Sequence, residues 1–284
     1  LDVPEVGGTH ATLTLQVIRF TFEAREAIHF PEGKSANILR GAFGTILRRQ
    51  NESAYTHMFE PRNTGPGPSG LHDWPRPFVF RAHHLDGTTI QAARTFHFDM
   101  HLFDTKRSLP EPLIQTFQQL AREGLGTGRK KVELINSEIS TLSLPLTTEQ
   151  IGRTRVAIRF LTPTELKSNS QLVTKPEFVV LATRIRDRIS TLCELYGDGA
   201  TDIDFKAFGE RAALIRMTRC DIHPMQITRR STRTGQVHGL GGFIGEAEYE
   251  GPLSEFIPWL QAASWTGVGR QTVWGKGVIE TLIR

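Results

Sequence analysis

A helix-like apolar stripe that runs into Gly-x-Gly and then into an extended apolar segment occurs twice in this chain, and no other feature limits the fold more. The first copy is Leu113, Ile114, Phe117 and Leu120, then Gly124-Leu125-Gly126, then Val132, Leu134 and Ile135. The second is Leu253, Phe256, Ile257 and Leu260, then Gly267-Val268-Gly269, then the closing apolar residues Val278 and Ile279. Gly267 lies 143 residues after Gly124, and the same offset carries Leu13 to Val156, each in an alternating strand-like run. One spacing near half of the 284 residues maps both ends of a unit onto its copy, which predicts two domains of one architecture.

The segments between these landmarks fill in the unit. Thr12 to Phe20 alternates apolar and polar residues as a half-buried strand does. Ile38, Leu39, Ala42, Phe43, Ile46 and Leu47 mark a helix, with Arg48 and Arg49 in its last turn where cations suit the dipole. Asn51 to Pro77, rich in Gly, Pro and short polar residues, reads as a long loop. Two strands follow between Phe78 and Asp104, joined near Asp86-Gly87. The order is β-α-β-β-α-β, an α+β, ferredoxin-like (RRM-like) arrangement of a four-stranded antiparallel sheet with two helices on one face. In the second half, Arg155 to Leu161 is a strand and Phe178, Leu181, Ile185, Ile189, Leu192 and Tyr196 stripe a helix. Ile222 to Ile227 and Phe243 to Tyr249 then suggest a hairpin with an Arg-rich tip. The expected domains are 1–145 and 153–284.

Composition bounds the function classes. Hydrophobic residues at 38% can fill two cores, no run approaches 18 apolar residues, and Leu1 to His10 lacks a basic-then-apolar pattern. Neither membrane insertion nor secretion is expected, and the default location is cytoplasmic. Cys193 and Cys220 are the only cysteines and form no metal-ligand spacing. The net charge of +4 is carried by a skewed choice of cation, 26 Arg against 8 Lys. Arginine suits bidentate phosphate contact, although a GC-rich genome inflates it equally well. Placement is more telling: Arg216, Arg219, Arg229, Arg230 and Arg233 lie within one segment that holds a single acid, Asp221.

Four segments carry a resemblance: Leu39-Arg40-Gly41-Ala42-Phe43-Gly44, Tyr55-Thr56-His57-Met58-Phe59-Glu60-Pro61, Phe160-Leu161-Thr162-Pro163-Thr164, and Gly241-Gly242-Phe243-Ile244-Gly245 running on to the loop Gly267 to Gly277. On these the chain resembles the CRISPR repeat-processing endoribonucleases of the RAMP (repeat-associated mysterious protein) superfamily. The resemblance implies tandem ferredoxin-like domains with a basic cleft, and cleavage of precursor CRISPR RNA within its repeats. It also implies metal-independent chemistry without a cofactor, in which a ribose 2′-OH attacks its own 3′ phosphate and leaves a 2′,3′-cyclic phosphate and a 5′-OH. Many relatives set a His beside a Tyr and a Lys near the first helix. Relatives with several cysteines before the Tyr motif differ from this chain, which has none in Asn51 to Ala54.

Attack by a 2′-OH needs a base, an acid for the departing oxygen, and cations or N–H groups for the phosphate charge. Among ten histidines, His57 is the leading acid or base, with Tyr55 two residues away. Lys34 and Arg40, at the start of the first helix, are candidate stabilisers. The expected RNA contacts are Arg229, Arg230 and Arg233 on the hairpin tip, and Gly267, Gly269, Arg270, Gly275, Lys276 and Gly277 in the glycine-rich loop. His97, Asp99 and His101 alternate along one strand face, as a metal or catalytic cluster or as the polar face of an ordinary sheet. His83, His84 and His238 are further candidates, and Arg184, Arg186 and Arg188 read as cations that solubilise a helix. Two other readings stay open. One is a non-catalytic RNA-binding RAMP subunit of a CRISPR effector complex. The other is a nucleotide cradle at the Gly-x-Gly, disfavoured because here it follows a helix and precedes a strand, with no P-loop Lys-Ser/Thr.

Overall fold

A computed structural model describes residues 11–61, 74–126, 128–147, 152–168, 170–226, 228–230, 237–239 and 241–284. The first half runs β1 (Thr12–Ala24), β2 (Ile28–His29), α1 (Ser35–Gln50), α2 (Glu52–Phe59), β3 (Phe78–Arg81), β4 (Thr89–Ile90), β5 (Thr95–Leu102), α3 (Pro110–Glu123) and β6 (Val132–Pro145). The second runs β7 (Arg155–Thr164), β8 (Lys167–Ser168), β9 (Gln171–Leu172), α4 (Phe178–Tyr196), α5 (Phe205–Ala212), β10 (Arg216–Met225), β11 (Thr228–Arg230), β12 (Val237–Gly239), β13 (Gly242–Glu250), α6 (Ile257–Thr266) and β14 (Ile279–Ile283). The two large sheets have the orders β3-β5-β1-β6 and β10-β13-β7-β14, antiparallel throughout. Counted within its own half, each sheet reads second, third, first, fourth strand, so both halves are ferredoxin-like and the expected α+β class holds.

The first core explains why α1 and α3 lie on one face of their sheet. Ile18, Phe20 and Phe22 alternate along β1 and are fully buried. Phe20 meets Phe117 of α3 at 4.1 Å between ring centroids, and Phe117 stacks on Phe43 of α1 at 5.2 Å with planes 4° apart. Phe78, Phe80 and Phe98 complete the cluster from β3 and β5. Burying one such side chain is worth roughly 1.5–3 kcal/mol, so the chain of rings Phe20, Phe117 and Phe43 fixes both helices onto this face.

Along β1 the buried parity then changes. Leu13 and Leu15 point to the opposite face and join the second core with Val156, Ile189, Trp259 and Leu260. Val79, Phe103 and Leu146 do the same, so the first sheet's open face carries an apolar seam against the second domain. The Cys193 thiol of α4 reaches the Thr12 carbonyl across that seam at 3.8 Å. This seam brings the end of β5 beside the end of α4.

Several expectations need correction. Asn51 to Pro77 is not a loop throughout: the Asn51 side chain accepts the Ala54 N–H at 2.9 Å and caps α2, a helix that holds Tyr55 and His57. Helix α5 and the small pairings β2–β4 and β8–β9 have too short a pattern to read. Arg186 is buried, its guanidinium held by Asp187 and the Phe205 carbonyl, and Arg188 donates to the Thr266 carbonyl at 3.1 Å, so these cations tie α4 to its neighbours rather than solubilise it. Among the described residues no helix is long and apolar enough to cross a membrane.

Candidate active site

His57 reaches its site because two helices meet at a capped corner. Chain exit from α1 at Asn51 sets α2 running back along α1, and Phe59 closes against Gly44 and Phe43. On a helix, two residues are about 200° apart, so Tyr55 and His57 look to different sides. Tyr55 stacks on Phe59 at 4.9 Å with the Arg48 guanidinium 5.4 Å over its ring. His57 instead faces Asp104, which follows β5: its Nε2 lies 2.6 Å from Asp104 Oδ2.

Asp104 is held from three sides. Its side chain is 3% exposed, the Lys106 N–H donates to Oδ1 at 3.0 Å, and Arg107 Nε lies 3.8 Å from Oδ2. Burial pushes this carboxyl up, but the His57 hydrogen bond and charge, the Lys106 N–H and Arg107 together hold it below its ordinary value. The His57 side chain is 16% exposed, and its Nδ1 forms no hydrogen bond among the described residues. Tyr196, the last residue of α4, stands edge-on to the imidazole at 6.2 Å and 88°. Its hydroxyl donates to the Pro75 carbonyl at 2.7 Å, and burial pushes that hydroxyl's proton affinity up. These groups line an open cavity of about 730 Å³ with Glu52, Thr56, Glu60, Trp74, Lys106 and Arg107.

The structure therefore unites His57 with Asp104 and Tyr196, and not with the other expected partners. Lys34 precedes α1, next to Ser35, whose N–H and hydroxyl bind Asp86, and neither Lys34 nor Tyr55 lines the His57 cavity. Arg40 lies 5.0 Å over the Phe59 ring and 5.7 Å over the Trp274 ring. Sequence reasoning misses Asp104 and Tyr196. The one signal available is an acid directly behind the alternating strand that ends Met100, Leu102, and nothing local links it to a histidine 47 residues earlier.

The glycine-rich loop is first of all an inter-domain clamp. Val273 is buried in the first domain's core, with Trp274 packed against that core. Gly275 and Gly277 both hold positive φ, 84° and 68°. A Cβ on Gly275 would meet Ala36 of α1 at 2.5 Å, and one on Gly277 would collide with the Val268 carbonyl. Lys276 between them is 2% exposed, and burial pushes its ammonium down to about 8 against an opposing pull from Asp86. Gly267 ends α6, and Gly269 packs against the Glu165 carbonyl. Arg270 stays half exposed at 53% and pairs with Glu165. On the hairpin, Arg229 and Arg230 lie in β11, opposite His238 and Val237 of β12, while Arg233 lies outside the described residues.

The alternating His97, Asp99 and His101 border one cavity but form no metal-ligating group among the described residues. Asp99 forms a two-pronged pair with Arg19 of β1 at 2.8 and 2.9 Å, the cross-strand contact of a polar sheet face. His101 is buried in the seam, its Nδ1 2.9 Å from the Trp265 carbonyl, and burial, helped by Arg81, pushes it down to about 3. Arg81 donates to the Ser264 and Trp265 carbonyls at 3.1 and 2.7 Å, and burial pushes its guanidinium down to about 9. Together these groups cap the negative end of α6 from the other domain. A second cavity of about 790 Å³ opens here, lined by His83, His84, His97, Gln261 and Trp265 among others.

Comparison with known proteins bears on all of this. Residues 13–156 match the profile of a family described as an N-terminal domain, and residues 158–279 match the profile of the CRISPR-associated endoribonuclease Cas6. No curated protein sequence matches the chain significantly. Among solved structures, a Cas6 product complex superposes with a TM-score of 0.61 at 17% identity, covering 94% of this chain and 100% of that one. Thermus thermophilus Cas6 gives 0.56 at 15% identity, over 96% and 99%. A RAMP protein binding different RNA substrates gives 0.52 at 8% identity, over 94% and 99%. At such identities the likeness is one of fold, and it extends over both halves of this chain. The second domain thus carries the profile of the CRISPR-associated endoribonuclease Cas6, and nearly the whole chain shares the tandem fold of solved Cas6 and RAMP proteins.

Proposed function

We propose that this chain is a Cas6-type endoribonuclease that cuts precursor CRISPR RNA within each repeat by a metal-independent transesterification at the His57 cavity. The observation that carries the reading is the His57–Asp104 pair at 2.6 Å in an open cavity flanked by Lys106 and Arg107. Histidine serves as base and acid in turn. His57 takes the 2′-OH proton as the O2′–P bond forms; the P–O5′ bond then breaks, and the imidazolium returns that proton to the 5′ oxygen. The products are a 2′,3′-cyclic phosphate and a 5′-OH, with no water consumed. Lys106 and Arg107 face the phosphate charge that grows during the attack.

In this reading the repeat RNA runs from the cavity over Arg270 and the stretch of chain that carries Arg229, Arg230 and Arg233. Lys276, buried between the domains, supports the loop rather than the RNA. The work is cytoplasmic, and the guide RNA passes to subunits of a CRISPR effector complex. The test is incubation of purified protein with repeat RNA in excess EDTA. One discrete cut, abolished by a 2′-deoxy substitution at the scissile ribose, is expected; binding without cuts means a non-catalytic RNA-binding subunit, and a cut that needs added metal refutes the mechanism.

A second placement of the chemistry is favoured by the histidines around the seam cavity. His84 donates from Nε2 to the His97 carbonyl at 2.9 Å, and the two rings stack at 4.8 Å. His84→Ala and His97→Ala separate the two placements, because only the variant at the reacting site slows cleavage.

A further inference from the structure

The His57 cavity contains two groups that sequence motifs do not reach, a buried carboxylate and an aromatic ring supplied by the other domain. Asp104 is 3% exposed and occupies His57 Nε2 at 2.6 Å. Carboxylate Oδ1 is fixed by the Lys106 N–H, so the acid cannot turn without breaking a second bond. The Tyr196 ring stands perpendicular to the imidazole and is itself anchored through its hydroxyl to Pro75. Ionised Asp104 can only accept hydrogen bonds, so in the neutral ring the proton sits on Nε2 and the lone pair on Nδ1. Nδ1 is on the opposite edge of the ring from Asp104 and is the nitrogen without a described partner.

We propose that Asp104 is the positioning residue of the reaction: it locks His57 with Nε2–H on its carboxylate, and His57 Nδ1 is the atom that takes the 2′-OH proton. Tyr196 limits the ring's rotation from the second domain, so the reactive geometry requires both domains to be docked. This inference rests on the reading of His57 as the acid and base. In the step itself the O2′–H bond breaks toward Nδ1, the O2′–P bond forms and the P–O5′ bond breaks. The imidazolium, positive while Asp104 is negative, gives the same proton to O5′.

The arrangement predicts effects that a merely structural acid would not have. In protein labelled with ¹⁵N at histidine, the neutral His57 ring should be the Nε2–H tautomer, and Asp104→Asn should abolish that preference, because an amide can donate to the ring as well as accept. Asp104→Asn should slow single-turnover cleavage about 10²-fold, the scale of a mispositioned acid or base, with repeat-RNA affinity unchanged. Asp104→Glu should recover part of the loss, since it restores the charge. Adding Asp104→Asn to His57→Ala should cost nothing further, because Asp104 acts only through His57.

A neutral His57 that carries its proton on Nδ1 in the unsubstituted protein overturns the inference, and this measurement does not depend on any variant folding. An Asp104→Asn protein that cuts at the unsubstituted rate, while His57→Ala does not cut, overturns the inference and leaves the proposed function standing. If His57→Ala cuts at the unsubstituted rate, the reading beneath the inference falls with it.

Discussion

Lys276 offers a prediction in which the sign and the size both follow from its burial. The ammonium is 2% exposed between Gly275 and Gly277, and burial lowers it from an ordinary 10.5 to about 8. Below pH 8 the folded and unfolded chains both hold this proton, and the folded chain bears the full cost of a buried charge. Between pH 8 and 10.5 the unfolded chain binds more protons than the folded one, so stability rises with pH across that window. Above it the group is neutral in both states. At about 1.4 kcal/mol per tenfold change in proton affinity, the effect is roughly 3 kcal/mol. Lys276→Met keeps the length and removes the charge. The variant should therefore be more stable than the parent by about 3 kcal/mol at pH 7, and the gap should close by pH 10.5. Urea unfolding of both proteins at pH 7 and pH 10 reads this directly. A parent that is the more stable at pH 7, or a gap that does not narrow, refutes the idea that this lysine is buried at a net cost.

Gly277→Ala should cost about 2 kcal/mol or more, since φ is positive and the new methyl strikes the Val268 carbonyl, whereas Gly41→Ala on the open face of α1 should be neutral or stabilising by up to ~1 kcal/mol; thermal unfolding of the two variants should move in opposite directions or nearly so. Asn51→Ala removes the cap that starts α2 and should cost about 1 kcal/mol, while loosening His57 enough to slow cleavage at unchanged RNA affinity. Replacing Arg229, Arg230 and Arg233 together by Ala should weaken repeat-RNA binding and flatten its salt dependence by roughly 0.7–0.9 in log–log slope for each phosphate that is no longer neutralised; an unchanged slope places the RNA elsewhere.

How much of this can be read from the sequence depends on whether the information is local. Alternation from Thr12 to Phe20 and the stripe of Leu113, Phe117 and Leu120 are local and reveal the first ferredoxin-like unit, as Arg155 to Leu161 and the stripe from Phe178 to Tyr196 reveal the second. The paired Gly-x-Gly loops are equally visible, but their meaning is not. Gly275 is shaped by Ala36 of the other domain and Val273 by the first domain's core, so a cradle and a clamp look alike in one dimension. His57 stands out in its motif, yet its helix reads as loop because its eight residues are bounded by polar and flexible stretches. Its partners Asp104 and Tyr196 come from the ends of a strand and a helix that meet only across the seam. Buried cations are the hardest: Arg186 carries no mark in the sequence that separates it from an exposed Arg184 on the same helix.

The central claim is that His57 performs the chemistry without a metal, and single-turnover cleavage of repeat RNA in excess EDTA by the parent, His57→Ala and His84→Ala proteins tests it most directly. The parent and His84→Ala should cut at one position at similar rates, and His57→Ala should bind the RNA and cut it at least ~10²-fold more slowly. A His57→Ala protein that cuts at the parent rate contradicts the account, and the loss of cutting in His84→Ala instead moves the reaction to the seam.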